Sequence, residues 1–475
     1  MTPLLRTLFF RALNLLRQKF PVMHNARHNE QALCVLPWKH LNLKLDGSVQ
    51  ICCQGPLLKD IRGNPLTVYE HSIEEIWNSM GMLDIRRAMV AGIRVEGCRK
   101  CWEVEDRGGS SKRMEANEVF LMEGKSIRQL KSGAERDSFQ SHHPPRDYQL
   151  DLGNMCNLKC RTCFSQYSSR IAADPVHRRW EGGSFRAGKC SGDDDGTSGH
   201  DPSNADLFPV RNPFRSKTPW YEDHDFLVGE LLGHPKNLTG LQIIGGEPLV
   251  AQQLASVIHH IANQGTPGRV TLNLTTNGMI FDEALFNTMA AFRSISFSVS
   301  IDGVGEYFEY IRYPGKWANI IGHLDKYAEI KNVKLYVLPT FHIYNALHIT
   351  DVFRFCDDRK LRLIFNTLWT PRFLAASVLP PKARLAAVER LKKYAQSSRV
   401  HAHSLLAETL ASELEEKGNS IDQDLIRQFM LFTNDLDSTR KVRFKDIYGE
   451  VLSLMAEDGI EWTDETLHAR IGGHQ

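Results

Sequence analysis

The chain of 475 residues is poor in cysteine: ten are too few to staple a protein of this length, which excludes a disulfide scaffold. Charge of one sign is also missing. Lys and Arg number 58 against 56 Asp and Glu, a formal net charge of +2, and no basic run dominates beyond the first residues, so there is no clear sign of nucleic acid. A long apolar run is absent too. Its nearest approach is the segment 1–30, where Leu4, Leu5, Leu8, Phe9, Ala12, Leu13, Leu16 and Phe20 recur at helical spacing. Arg6, Arg11, Arg17 and Lys19 interrupt it, it is too short to span a bilayer, and no small-residue cleavage site follows. No acidic residue occurs before Glu30. Two readings of this basic amphipathic segment stand: a helix packed on the protein's own body, and a helix lying on a membrane surface or a partner.

What remains fits a soluble enzyme of two or three domains, with 42% hydrophobic and 24% charged residues. The few cysteines are grouped, and C-x-x-C pairs read as metal binding in a reducing compartment, hence the cytoplasm. The most telling group is Cys156, Cys160 and Cys163, spaced C-x3-C-x2-C. Three thiolates can hold three irons of a cubane cluster and leave the fourth open to a non-protein ligand. Three further motifs follow, each at the end of an apolar run: Gly245-Gly246-Glu247-Pro248, Thr276-Asn277-Gly278 and Ser300-Ile301-Asp302-Gly303.

In that order, these motifs resemble the radical S-adenosylmethionine (SAM) superfamily over roughly residues 147–371. The resemblance implies an open, six-stranded partial (β/α)6 barrel, a [4Fe–4S] cluster on the three cysteines with SAM on its open iron, and reductive cleavage of SAM to a 5′-deoxyadenosyl radical that abstracts a hydrogen atom. A reductase such as flavodoxin or ferredoxin is the implied electron donor. Gly245, Gly246 and Glu247 fall where the family contacts the amino group of SAM, and Thr276 and Asn277 close the next strand. Ser300, Asp302 and Arg312 fall where a serine and a downstream arginine reach the ribose or carboxylate. Arg312 also reads as a plain surface arginine beside aromatic residues. The aromatic residue common before the third cysteine is Thr162 here; either Phe164 takes over the packing near adenine or strand-end backbone alone holds it.

Residues 31–110 carry a second constellation. Leu41 to Leu45 alternates like a strand, Asp46-Gly47 reads as a tight turn, and a return strand delivers Cys52 and Cys53. A helical segment over Glu74 to Val90 precedes Cys98-x-x-Cys101. Cys34, Cys52, Cys98 and Cys101 supply four thiolates, with Cys53 as the alternative to Cys52. This spacing resembles the twitch domain, a shortened relative of the SPASM domain, which implies an auxiliary [4Fe–4S] cluster; here it precedes the core instead of following it. Zinc is the structural alternative for four cysteines. By resemblance such enzymes act most often on a peptide or protein, by oxidation, epimerisation or crosslinking. A small-molecule substrate, or a non-catalytic metal-binding protein, are the rival readings.

The remaining organisation is a connector over 111–146, ending at Pro144-Pro145, the core over 147–375 and a helical region over 376–475. A polar stretch over 165–219 reads as a loop insertion, a lid or disorder. Asp435, Asp437 and Arg440 read as helix caps and surface pairs or as substrate contacts, and His401 and His403 as a loop pair.

Overall fold

The computed structural model describes residues 32–106, 109–181, 218–418 and 420–466. The described residues divide into two compact units, the first made of those up to 151 with 218–242 and 264–266, the second of the other described residues. The amphipathic segment and residues 182–217 of the expected insertion, Cys190 among them, lie outside the described residues.

In the first unit, β1 (His40–Leu43) and β2 (Val49–Gln50) form the expected antiparallel hairpin, with Asn42 opposite Gln50 and Leu43 opposite Val49. The turn needs Gly47, whose φ is +78°. Asp46 Oδ1 closes it by accepting from the Ser48 amide at 3.0 Å. The alternation expected over Leu41 to Leu45 does not hold, because all four β1 residues are buried. Their second edge pairs in parallel with β3 (Asp147–Asp151), His40 opposite Asp147 through Leu43 opposite Leu150, so β1 is an inner strand. Asn42, one of the polar residues this buries, donates to Gln50 Oε1 at 3.0 Å.

The segment expected to be helical over Glu74 to Val90 is two helices, α1 (Ile73–Trp77) and α2 (Met80–Val90), because a serine precedes each as N-cap. Ser72 and Glu75 form a capping box, and the Ser79 hydroxyl accepts from the Met82 amide. α3 (Arg99–Asp106), α4 (Lys112–Met122) and α5 (Ile127–Arg136) follow. Arg113 and Glu105 form a buried ion pair at 2.5 Å that ties α3 to α4.

β4 (Gly240–Ile244) carries the chain from the first unit into the second. There β5 (Thr271–Thr276), β6 (Ser294–Val299), β7 (Val333–Val337) and β9 (Arg362–Leu363) pair in parallel, in that order. Helices intervene as parallel crossovers require: α6 (Gln252–Gln264), α7 (Glu283–Met289), α8 (Glu306–Ile311), α9 (Trp317–Glu329) and α10 (Ile349–Arg359). The result is a mixed α/β fold with a parallel-strand sheet. The single strand expected over Leu361 to Leu368 is split, since β10 (Asn366–Thr367) leaves β9 to pair with β8 (Thr340–Phe341).

On β5 and β6 the buried positions are Leu272, Leu274, Thr276, Ile295, Phe297 and Val299, while Asn273, Thr275, Ser296 and Ser298 alternate on the other, partly exposed face. The apolar side packs Phe297 against Phe286 (ring centroids 5.6 Å apart) and Tyr327 (5.0 Å). α11 (Pro381–Ser397), α12 (His401–Glu415) and α13 (Gln423–Arg440) form the helical region. His401 and His403 open α12 instead of lying in a loop, and His403 is buried with Nδ1 at 2.7 Å from Asp357 Oδ1. No described helix is long and apolar enough to cross a membrane. Truncating the fully buried ring in Phe297→Ala should cost about 3–5 kcal/mol, read as a lower denaturant midpoint for the second unit.

Candidate metal centres

Cys156, Cys160 and Cys163 lie on a loop of the second unit whose backbone is pinned from two sides. The Cys156 amide donates to Ser169 Oγ at 3.2 Å and Ser168 Oγ donates to the Leu158 carbonyl at 2.7 Å. From the other side, the Tyr313 and Ile311 carbonyls accept from the amides of Lys159 (2.6 Å) and Arg161 (2.9 Å). Burial pushes the Cys160 thiol up to about 11, against the pull of nearby Arg312, and drives the Cys163 thiol up as well. A metal that binds the thiolate form offsets that cost.

Arg161, between the second and third cysteines, is fully buried. Its guanidinium stacks 3.6 Å from the Tyr310 ring centre, donates to the Tyr310 carbonyl at 2.9 Å and pairs with Asp437 at 2.5 Å. Tyr310 Oη and the Phe444 amide also donate to Asp437, at 2.8 and 2.6 Å. Asp437 is therefore a buried anchor for the cysteine loop, where the sequence left a helix cap, a surface pair or a substrate contact open. Asp435 is buried as well, and accepts from Trp180 Nε1 at 2.9 Å.

The glycine motif meets the same loop. Gly246 has no room for a side chain, since a Cβ there would lie 2.4 Å from the Met155 carbonyl oxygen. The Gly246 amide donates to Gly153 O at 2.8 Å and the Glu247 amide to Met155 O at 2.7 Å. Glu247 is buried and points at the next motif: its oxygens accept from Thr276 Oγ1 (2.8 Å), the Asn277 amide (2.5 Å) and the Leu249 amide (3.1 Å). Burial raises its carboxyl to about 7 in spite of those donors. Asn277 Nδ2 donates to Asn157 Oδ1 at 2.7 Å and lies 4.0 Å from Cys156 Sγ.

Half-buried Ser300 joins through its amide, which donates to Thr276 O at 2.9 Å. Asp302 is buried, accepting from the Thr340 amide at 2.8 Å and pairing with Arg312 Nε at 2.8 Å. Arg312 is not the surface arginine that its neighbours allowed: only 11% of its side chain is exposed, and Nη1 lies 3.9 Å from Cys160 Sγ. Phe164 is half-buried directly after Cys163.

In the first unit Cys34, Cys52, Cys98 and Cys101 are all buried and line one cavity, together with Gln54, Lys112 and Arg113. Burial raises the Cys52 thiol to about 11 and the Cys98 thiol to about 12, and the other cysteines add to the rise at each. Cys53 is exposed, with Sγ 3.1 Å from Lys112 Nζ. An all-sulfur donor set beside two cations suits an anionic thiolate-bound centre. Among the described residues no three His, Cys, Asp or Glu side chains converge as the ligands of one ion do.

Residues 34–102 match the SPASM family, an iron–sulfur cluster-binding domain. The chain thus carries a SPASM-type iron–sulfur domain on its N-terminal side, as the cysteine spacing led us to expect. No curated protein matches the chain. Among solved structures it is similar to native anSMEcpe with bound AdoMet, at 17% identity and a TM-score of 0.32, over 52% of this chain and 58% of that one. It is similar also to SuiB of Streptococcus suis bound to S-adenosylmethionine, at 12% identity and a TM-score of 0.34, over 75% of this chain and 69% of that one. The match to anSMEcpe thus spans less than two thirds of that protein.

Arg161, Lys112 and Asp151 were not singled out from the sequence. Arg161 sits inside the cysteine motif, where only its neighbours drew notice. Asp151 had a signal, a charge alternating within the apolar strand Tyr148 to Leu152. It is 4% exposed, its Oδ1 has no partner, and burial raises it to about 7, with Asp46 adding to the rise. Because the folded value lies above the ordinary 3.8, the folded state binds the proton more tightly than the unfolded one between those limits. The contribution of Asp151 to stability should therefore be full at low pH and be lost as pH rises to about 7, at a slope of up to ~1.4 kcal/mol per pH unit. Unfolding free energies across that window check this, and Asp151→Asn should flatten the slope.

Proposed function

We propose that the chain is a radical SAM enzyme that removes a hydrogen atom from a peptide or protein substrate, with the SPASM-type domain relaying an electron. The observation that supports it most is the hydrogen-bonded junction of the C-x3-C-x2-C loop with the Gly245–Glu247 turn, in a chain whose residues 34–102 match an iron–sulfur family. Cys156, Cys160 and Cys163 would hold the first [4Fe–4S] cluster. When bound, it and SAM supply the 5′-deoxyadenosyl radical that abstracts the hydrogen atom. In this reading residues 147–375 form the partial (β/α)6 barrel, entered after the connector 111–146 and followed by the helical region 376–475.

The chain's own residues prepare the cofactor site. Gly245 and Gly246 bring bare backbone to it, and Glu247 fixes the Thr276–Asn277 turn from below. Ser300 and Arg312, the latter aimed by Asp302, serve the ribose or carboxylate of SAM, and Phe164 packs near adenine. Cys34, Cys52, Cys98 and Cys101 would hold the auxiliary [4Fe–4S] cluster. Cys52 is preferred because it lines the cavity, while Cys53 is exposed on Lys112. Four protein thiolates leave no iron open, which suits electron relay better than substrate ligation. A cytoplasmic flavodoxin or ferredoxin is the matching donor, and the peptide substrate follows from the resemblance to auxiliary-cluster enzymes.

Anaerobically reconstituted protein with SAM should release 5′-deoxyadenosine only when dithionite is present, and Cys160→Ala should abolish release. Product from that variant equal to wild type would overturn the assignment. In a Cys156/Cys160/Cys163 triple-alanine background, about four irons should remain. They should survive Cys53→Ser and be lost in Cys52→Ser. One zinc and no iron in that background would refute the auxiliary cluster.

A further inference from the structure

The first unit holds a cleft lined by none of its cysteines. Its volume is about 680 Å³, a size usual for ligand sites. Three stretches far apart in sequence build it, within 72–78, 140–148 and 230–238. Hydrogen bonds fix them to one another. Trp77 Nε1 donates to the His143 carbonyl at 2.8 Å, Asn78 Nδ2 to the Ser141 carbonyl at 3.1 Å, and the Ile73 amide to Glu230 Oε1 at 3.1 Å. The walls are therefore held by the chain itself. Glu230 and Leu231 end a π-helical segment, Asp225–Leu231, a rare conformation that is frequent at functional sites.

The floor of the cleft is apolar and its rim acidic. Trp77, Tyr148, Leu231 and Leu238 are buried, while Glu74 and Glu230 are exposed. Arg86 covers one face of Trp77, its guanidinium carbon 4.5 Å from the ring centre. It lies outside the lining, where the Pro37 and Phe139 carbonyls and Asn78 Oδ1 accept from it. No lysine or arginine lines the cleft, and neither Glu74 nor Glu230 forms an ion pair among the described residues. That balance disfavours an anionic ligand and favours a cationic one. Exposed acids alone are commonplace on a surface, and Tyr148 is the less ordinary element. It is 4% exposed, and its hydroxyl, which has no hydrogen-bond partner among the described residues, opens on the cleft instead of being sealed in the core. A hydroxyl set in an apolar floor orients a ligand, as the few polar groups of such sites do.

We propose that this cleft recognises a short peptide segment in which a basic side chain stands beside an apolar one. The apolar group lies on the floor, a peptide group meets the Tyr148 hydroxyl, and the ammonium or guanidinium sits at the rim with Glu74 and Glu230. The cleft asks for an apolar group, a hydrogen-bonding group and a cation in one ligand, and two adjacent residues of a peptide supply all three. The inference rests on the function proposed above in taking that peptide to be the substrate, and it names the feature by which the substrate is held.

Calorimetry and saturation-transfer nuclear magnetic resonance on the full-length protein test this with three N-acetylated, amidated dipeptides: phenylalanyl-arginine, phenylalanyl-glutamine and phenylalanyl-glutamate. The arginine peptide should bind at least about tenfold more tightly than the glutamate peptide, with the glutamine peptide between them. Tyr148→Phe should weaken binding of the arginine peptide about fivefold. The double variant Glu74→Gln/Glu230→Gln, which keeps an acceptor for the Ile73 amide, should bring the arginine and glutamine peptides to within about twofold of each other. Equal binding of the three peptides, or wild-type binding by both variants, would overturn the proposal. So would phenethylamine binding as tightly as the arginine peptide, since the cleft would then take a small amine. A wild-type chain that binds the arginine peptide in this way but releases no 5′-deoxyadenosine would remove the proposed function and leave the cleft a peptide site, whereas normal release with no peptide bound would remove this inference alone.

Discussion

The fully buried guanidinium of Arg161 is the constraint on which the second unit's site depends. A buried charge is costly unless it is paired and hydrogen-bonded, and here a ring face, a carbonyl and a carboxylate meet it. The carboxylate belongs to α13, near the far end of the chain, and also receives Tyr310 and the Phe444 amide. The cysteine loop is held at its centre by an ion pair that a helix more than two hundred residues later completes, and at its edges by the Ile311 and Tyr313 carbonyls and by hydroxyls after the cysteines. The helical region is thus part of the site's foundation.

The two units treat their cysteines by the same physics and with different surroundings. Both bury thiols whose ionisation is opposed until a metal takes the thiolate form. In the first unit the cations in the cavity wall are Lys112 and Arg113, and Arg113 is already spent on Glu105. In the second unit Arg161 and Arg312 are likewise spent on carboxylates, Asp437 and Asp302.

Much of this was legible in the sequence, and the parts that were not share a cause. The Asp46-Gly47 turn, the parallel strands ending on their motifs and the buried set of four N-terminal cysteines follow from local chemistry: turn residues, apolar runs and C-x-x-C spacing. The pairing of β1 with β3 did not, because register between distant strands leaves no local mark, and that pairing is why His40 and Asn42 are buried instead of solvated. The same holds for β9 and β10, which read as one strand until each is seen to pair with a different neighbour. Glu247 was legible as important but not in its direction, since only the fold shows that the Thr276–Asn277 turn occupies its oxygens. Asp437 and Arg440 sit on a charged helix whose pattern resembles a solvated face, and tertiary packing alone turned them inward.

The inner position of β1 has a further consequence, one of timing. A two-stranded hairpin is marginal by itself, and β1 gains its second neighbour only when Asp147–Asp151 has arrived. During synthesis Cys34, Cys52, Cys98 and Cys101 all emerge before that strand does. Closing the intervening loop is a slow, non-local event, so the nascent chain exposes four thiols over an interval in which their scaffold is incomplete. The order of the chain therefore makes the N-terminal cysteines the ones most in need of protection from premature oxidation or the wrong metal while the protein is being made.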